Sequence, residues 1–541
     1  MATLPQIAQA PASKAEAHKQ HHSPIPAWVP LLLCLPAFIP LLVPAVQAWS
    51  RGLVPTVFAQ YDLAYYLANG RQHFQDGFHL LYGNPYAQYG TPAIYFQPHV
   101  FLLGLLLKLG LSPDAVELLF WITAAAFCSL VAARIYQAWV GWDTLAQKLG
   151  FVCFFWGGGC LALLGEAFGL PAGQSVAHSA LLFDPSDGWW MLNFGRNLVN
   201  PAEAFYHGLF LLAMLLLSQK RFGWALATGA LLSISHPFTG LSLALILTAY
   251  AALECVLKNG AATIKLLLGS VALTSAHVGY YVFFLHRFAD HRAVEEQWTL
   301  EWIYLFWTFA PALYLVTILA FGRLTRWKNL ATFLADPRMR LCLVWFAVIF
   351  ALAEHDLVIP PRQPIHFAHG YDWTALFFMA APAVIPMLEK LLPIRRVPLR
   401  VLAVAALMLL FLSDNLLWFG TFLEPGVQTS EIVLTRDEKN VLDWLGMHGQ
   451  DQAYVASPDR WISYLTPTYT SLRSWSGHDY NTPHSQQRRS EVAQVFALAA
   501  AGGTLPTDHP VYYIPARVQT WTPPEGARKV YENQSFVVWL R

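Results

Sequence analysis

Charge is scarce in this 541-residue chain: Asp, Glu, Lys and Arg together make up 12% of it, about half the share of an average globular protein. Such a chain is not a disordered protein, and it argues against an ordinary soluble enzyme. There is no excess of one sign either. Thirty-four Lys and Arg against 33 Asp and Glu leave a net charge of +1, so a basic field for gripping nucleic acid is lacking and no nucleic-acid partner is expected. Cysteine is equally sparse. The six residues Cys34, Cys128, Cys153, Cys160, Cys255 and Cys342 all lie in apolar stretches and form no C-x-x-C pair, which argues against a disulfide framework or a zinc-thiolate site. No internal repeat is evident, which weakens the case for a transporter built from repeated halves. What is abundant is apolar: 56% of residues are hydrophobic and the mean hydropathy is +0.40. The chain reads as an α-helical polytopic membrane protein.

A helix needs about 20 mostly apolar residues to span the hydrocarbon, where no water satisfies its backbone. Twelve candidate segments can be read: Ala27–Trp49, Ala93–Leu111, Val116–Trp139, Leu149–Phe168, Ala204–Leu217, Phe222–Ile234, Leu241–Leu257, Ile264–Phe284, Trp302–Phe321, Leu341–Ala353, Trp373–Leu391 and Val401–Leu423. Cytoplasmic loops carry the excess of Lys and Arg. The densest clusters are Arg323, Arg326, Lys328, Arg338 and Arg340, then Lys390, Arg395, Arg396 and Arg400. All basic clusters fall inside when Ala93–Leu111 lies along the outer face without crossing. About eleven crossings result, with the N-terminus inside and the C-terminal part outside. The polar stretches Arg51–Pro92, Gly169–Glu203, His286–Glu301 and Glu354–Asp372 then share the outer face with the tight turn His236–Gly240.

Three regions follow. Residues 1–24 read as a disordered cytoplasmic tail, and the late start and length of the first apolar run argue against a cleaved signal peptide. Residues 25–423 form the transmembrane domain, with an outer loop at 51–115. Residues 424–541 have the composition of a small α/β domain of ordinary size. In it Thr435 is placed to cap a helix containing Val441, Leu442 and Leu445. Ala453–Ala456 and Val511–Ile514 read as strands, Ser490–Ala501 as a helix, and Lys529–Tyr531 with Phe536–Leu540 as a closing hairpin.

The first outer loop opens with Gln60-Tyr61-Asp62-Leu63-Ala64-Tyr65-Tyr66. A carboxylate near the bilayer surface, bracketed by tyrosines, is placed to act as a general base on an acceptor hydroxyl or amide. Equally, Asp62 could cap the helix Leu63–His73. The loop continues through Tyr82-Gly83-Asn84-Pro85-Tyr86 and Tyr95-Phe96-Gln97-Pro98 into a membrane-hugging helix. Together with a short cytoplasmic tail, one span before a large outer loop, about eleven crossings and an outer C-terminal domain, this arrangement resembles the GT-C superfamily of integral-membrane glycosyltransferases. That superfamily includes the protein O-mannosyltransferases and bacterial lipid-linked sugar transferases. The resemblance implies that Asp62 is the catalytic base and that the donor is a polyprenyl-phosphate sugar. It further implies a glycan, lipid or protein acceptor, and a bacterial inner membrane with the site on its extracytoplasmic side. The family often has an acidic pair where Asp62 stands alone, so a divalent cation is a possible cofactor rather than an implied one.

A lipid phosphate calls for cations at that surface, and arginine suits phosphate through its bidentate geometry. Arg362, in Pro360-Pro361-Arg362-Gln363-Pro364-Ile365-His366, leads; Arg196, Arg287 and Arg292 are further candidates. The plainer reading of Arg362 is an ion pair with Glu354 or Asp356. His366 and His369 follow close behind. His236, at the end of a short span, is placed to bind phosphate or sugar, to ligate a metal with Glu203 or Asp62, or merely to satisfy a helix end. Glu166 and Glu203 are read with similar reserve. Trp189, Trp190, Trp475 and Tyr480 could stack on a sugar or cover a lipid chain, although aromatic residues favour the membrane boundary in any case. The run Arg473–Pro483, which includes Trp475 and His478, reads as a loop that contacts the acceptor or docks the domain. The expected function is transfer of a sugar from a polyprenyl-phosphate donor to an acceptor at the outer face. A lipid or polysaccharide transporter or flippase is the alternative.

Overall fold

The computed structural model describes residues 24–183, 194–258, 260–297, 317, 334–360, 362–423, 432–497 and 503–541. The N-terminal tail, the expected span Trp302–Phe321 apart from Thr317, the Arg323–Lys328 cluster, Trp189, Trp190 and the side chain of Arg196 lie outside the described residues. Among the described residues seven helices are long and apolar enough to cross a membrane, which makes the chain an integral membrane protein. In chain order, α1 (Trp28–Ser50) is followed by β1 (Val54–Pro55), α2 (Leu63–Gln72) and α3 (Pro98–Lys108). Then come α4 (Pro113–Trp139), α5 (Leu145–Trp156), α6 (Leu161–Gly169), α7 (Pro201–Ser218), α8 (Phe222–Ser235) and α9 (Pro237–Lys258). The helical part closes with α10 (Ala261–Val278), α11 (Ala289–Gln297), α12 (Pro337–Ala353), α13 (Tyr371–Leu391) and α14 (Val397–Thr421).

Helix α3 has 11 residues and spans about 16 Å at 1.5 Å per residue, too little to cross. It packs instead on α2, and the contact demands glycine on both sides. A Cβ on Gly104 would sit 2.0 Å from the Gly70 carbonyl oxygen.

The segment Leu149–Phe168, expected as one continuous span, is corrected by the structure. It is two helices, α5 and α6, bent by 68°. The cause is local: Gly157-Gly158-Gly159 carries no side chain to hold a helix turn, and Gly159 adopts a positive φ of 122°. The freed backbone groups find partners on α14. Gly158 and Gly159 donate to the Phe411 carbonyl at 2.8 and 3.2 Å, Asn415 donates to the Trp156 and Gly157 carbonyls, and Asp414 accepts from the Ala162 amide at 2.7 Å. Irregular backbone at membrane depth survives only when protein satisfies it in this way.

Two cationic groups lie at one end of α4 and α9. Arg340 pairs with Glu254 at 2.5 Å and Arg338 donates to the Ala138 carbonyl at 3.3 Å, near the C-terminal end of α4. The other end of α4 meets the C-terminal part of the chain, where Tyr469 donates to Asp114 at 3.0 Å.

That C-terminal part contains β2 (Val433–Leu434), α15 (Arg436–His448), β3 (Tyr454–Ala456), α16 (Arg460–Tyr469), β4 (Arg473–Ser474), α17 (Ser485–Val495), β5 (Val511–Tyr513), β6 (Arg528–Glu532) and β7 (Val537–Leu540). Thr435 caps α15 in a capping box with Glu438, as its spacing predicts. Five strands form one sheet in the order β4-β3-β5-β7-β6. The first three run parallel, and the expected hairpin closes the sheet antiparallel. Two expectations are corrected. The helix expected over Ser490–Ala501 begins earlier, at Ser485, and Arg473–Ser474 is a strand rather than the start of a loop.

The domain is joined to the first loop rather than tethered beside it. Strand β2 pairs antiparallel with β1, and Phe58, Leu63 and Leu67 share one buried cluster with Leu434, Leu442, Tyr464 and Leu465. Arg71 donates to the Thr468 carbonyl at 2.9 Å, Asn84 to that of Asn481 at 2.7 Å and Arg473 to that of Ala87 at 3.0 Å.

Candidate active site

Asp62 stands at the N-cap position of α2, but its side chain makes no capping hydrogen bond. The capping alternative therefore falls, and the carboxylate is turned elsewhere. Its Oδ1 accepts from Nε2 of His478 at 3.0 Å, and the Asp62 side chain is 57% exposed while that of His478 is fully buried. Burial alone would raise the Asp62 pKa. The hydrogen bond from His478, with smaller contributions from the His478 and His366 imidazoles, outweighs it and holds the carboxyl below its ordinary value. Asp62 is thus an ionised, reachable carboxylate.

Tyr61 is fixed from the C-terminal side. Its ring stacks on Tyr464 at 4.5 Å, its hydroxyl accepts from the Asp479 amide at 2.9 Å, and the Tyr464 hydroxyl donates to its carbonyl. Arg460 covers the Tyr61 ring at 5.0 Å and pairs with Asp479 at 3.2 Å.

A second constellation forms where α7 meets the segment before α13. Asn200 caps α7 through the amides of Ala202 and Glu203, and its side chain donates to Gln60 at 3.1 Å, which links α7 to the loop that carries Asp62. One turn into the helix, the Glu203 carboxylate lies 3.2 Å from Nδ1 of His369, with both side chains buried. Glu203, His366 and His369 each offer a ligand atom, and the three atoms lie within 4.8 Å of one another. His366 and His369 are three residues apart, a spacing that brings both onto one side of a helical turn. Gly370, at a φ of 75°, then redirects the chain into α13. His366 also stacks on Phe238 at 4.8 Å, and Nδ1 of His366 is buried without a hydrogen-bond partner among the described residues. One carboxylate and two imidazoles are the donor set of zinc-class divalent cations. The residues present fit such an ion.

His236 adjoins this cluster, its ring 5.9 Å from that of His366 and stacked on Tyr206 at 4.5 Å. Its Nδ1 is taken by the Thr239 hydroxyl at 2.9 Å and the Thr239 amide at 3.2 Å. One nitrogen therefore satisfies the helix end, and only Nε2 is left for a ligand.

Arg362 is exposed. Its backbone N–H donates to Nε2 of His355 at 2.8 Å, and it forms no ion pair with Glu354 or Asp356 among the described residues. Gln363, at a positive φ of 52°, turns the chain so that Arg362 stays out while Gln363 itself is buried. Burial, with the charge of Asp356 adding to it, pushes the Glu354 carboxyl up to about 6.

Arg287 is exposed at the end of the helix that continues α10, and Arg292 donates to the His286 carbonyl at 2.8 Å. Trp475, expected to stack on a sugar, is a core residue at 1% exposure. Its ring contacts Tyr454 at 5.2 Å and lies under Arg488 at 5.3 Å, and its indole N–H donates to Glu491. No ring face is left for a ligand. His478, expected on the substrate side, is instead the partner of Asp62. Glu166 is buried beside the broken span. Sequence reasoning named Glu203, His366 and His369 one by one but not as a set, although His366-x-x-His369 carried the signal.

No protein-family model matches the chain, and no curated protein sequence does either. Solved structures similar to it include the following two. One is ArnT from Cupriavidus metallidurans bound to undecaprenyl phosphate, at 13% identity, covering 95% of this chain and 98% of that one, with a TM-score of 0.43. The other is the Archaeoglobus fulgidus oligosaccharyltransferase in complex with zinc and sulfate, at 12% identity, covering 90% of this chain and 68% of that one, with a TM-score of 0.45.

Proposed function

We propose that the chain is a membrane glycosyltransferase that moves a sugar from a polyprenyl-phosphate donor to an acceptor at the outer membrane face. The observation that carries the reading is the Asp62–His478 pair. It gives an ionised carboxylate, exposed and braced, in the loop that follows the first span of an integral membrane protein. This agrees with the GT-C resemblance carried by the same loop.

Asp62 is the general base. Its free oxygen takes the proton of an acceptor hydroxyl as that oxygen bonds to the anomeric carbon of the sugar. The bond between the anomeric carbon and the phosphate oxygen breaks, and polyprenyl phosphate departs with the electron pair. Arg362 would hold the phosphate by paired N–H donors. A divalent cation bound by Glu203, His366 and His369 would supply further positive charge opposite that phosphate. General-base assistance is worth about two to four orders of magnitude in rate. Transfer from candidate polyprenyl-phosphate sugars in membranes is therefore expected to fall by at least about a hundredfold in Asp62→Asn. Undiminished transfer by that variant removes Asp62 as the base.

A further inference from the structure

His478 reaches Asp62 from the C-terminal domain, and its ring is held on every side. The centroids of Tyr61, Tyr65, Tyr86 and Tyr464 lie 4.8, 5.2, 5.7 and 5.4 Å from it. Its Nδ1 accepts the backbone N–H of Tyr480 at 3.1 Å and that of Asn481 at 3.2 Å. The Asn481 side-chain nitrogen lies 3.4 Å from Nδ1 and 3.1 Å from Nε2. Two N–H dipoles aimed at Nδ1 leave no room for a proton there. Nδ1 is therefore the accepting nitrogen, and Nε2 is the donor that faces Asp62. Among the described residues this is the one hydrogen bond to the Asp62 carboxylate.

We infer that His478 is a positioning residue for Asp62: the C-terminal domain fixes it as the Nε2–H tautomer, and it holds one carboxylate oxygen while the other stays open to the substrate. The inference rests on the reading of Asp62 as the base. It makes the C-terminal domain part of the site, since the orientation of a loop carboxylate is set by a group 416 residues away. Because Nδ1 is already an acceptor, the ring keeps its tautomer, and the hydrogen bond favours the ionised form of Asp62. The other titratable groups facing Asp62 are His366, Tyr61, Tyr65, Tyr66, Tyr86 and Tyr464. The tyrosines stay neutral around neutrality. Asp479 and Arg460 act on Tyr61 from further out.

The test is carbodiimide-and-amine labelling of carboxyl groups in the purified full chain, read by mass spectrometry across acidic pH. Asp62 is exposed enough to react, and carbodiimide selects the protonated carboxyl. At about pH 5, His478→Ala is expected to label Asp62 about tenfold more than wild type. His478→Gln, which keeps a nitrogen donor near the Nε2 position, is expected to return to the wild-type profile. Equal labelling of all three overturns the inference. So does a rise in His478→Ala that His478→Gln fails to reverse, or one shared by Asp459 and Asp479, which marks loosened packing. Transfer by Asp62→Asn is read separately: full transfer beside a reversible labelling change removes the base and keeps the pair.

Discussion

Nε2 of His478 lies 3.0 Å from Oδ1 of Asp62, across 416 residues of chain. The bond joins the loop after α1 to the C-terminal sheet region, and neither local sequence reveals it. Its neighbours turn it into a fixture: Tyr61 stacks on Tyr464, Asn84 donates to the Asn481 carbonyl, and Asn481 in turn donates to the His478 ring. Loop and domain act as one unit at this point.

Loss of a ligand should empty the cation site. Purified chain exposed to zinc or manganese and then dialysed is expected to retain about one ion, as a site of two imidazoles and a carboxylate does. Glu203→Gln and His369→Ala should each lower the retained metal to background, while Arg362→Ala leaves it unchanged. Elemental analysis of the three proteins decides the matter, and equal metal in all of them removes the assignment.

Arg362 forms no ion pair among the described residues, so its replacement should be felt in donor binding. Arg362→Ala is expected to weaken binding of a short-chain polyprenyl phosphate by about tenfold to a hundredfold, the worth of a hydrogen bond to a charged group. Titration of the purified protein with the sugar-free lipid phosphate reads this directly. An unaltered affinity would sink the phosphate role.

Trp475 should behave as a core residue. Trp475→Ala is expected to cost about 3–5 kcal/mol of stability, the usual result of emptying a large buried aromatic site. Denaturant unfolding of the C-terminal signal measures it. A variant with wild-type stability but weakened sugar binding would restore the sugar-stacking role.

Glu354 offers a pH signature. Its folded carboxyl is raised from 4.5 to about 6 by burial, with Asp356 adding to it. A raised acid pKa means that the folded state holds the proton more tightly. The corresponding stabilisation is full below about 4.5 and is lost as pH rises through about 6. Glu354→Gln is expected to flatten the change of thermal midpoint across that window, and a slope identical to wild type would contradict the assignment.

Sidedness is open to a direct test. On the proposed topology, in which Lys- and Arg-rich loops lie in the cytoplasm, reporter tags at Glu424 and at Lys328 should report opposite compartments. Tags in the same compartment would break the topology on which the outer-face reading depends.

Long apolar runs made the membrane class legible from composition, because a span is a local property of about 20 consecutive residues. The same holds for the Thr435 cap and for the closing hairpin, each set by neighbours in the chain, whereas the short length of α3 came from the structure. Asp62 was legible as a candidate because it is a lone carboxylate bracketed by tyrosines in the loop that follows the first apolar run. Pairing was not legible. Which imidazole meets Asp62, that Glu203 joins His366 and His369, that Trp475 is interior and that α14 completes the broken span at Gly157–Gly159 all depend on contacts between distant segments. Such contacts follow from how whole surfaces pack, and no local spacing records them. Residue type and local pattern set which groups this chain has and where each element begins; only tertiary packing decided which of those groups meet, because their energies depend on distances that folding alone creates.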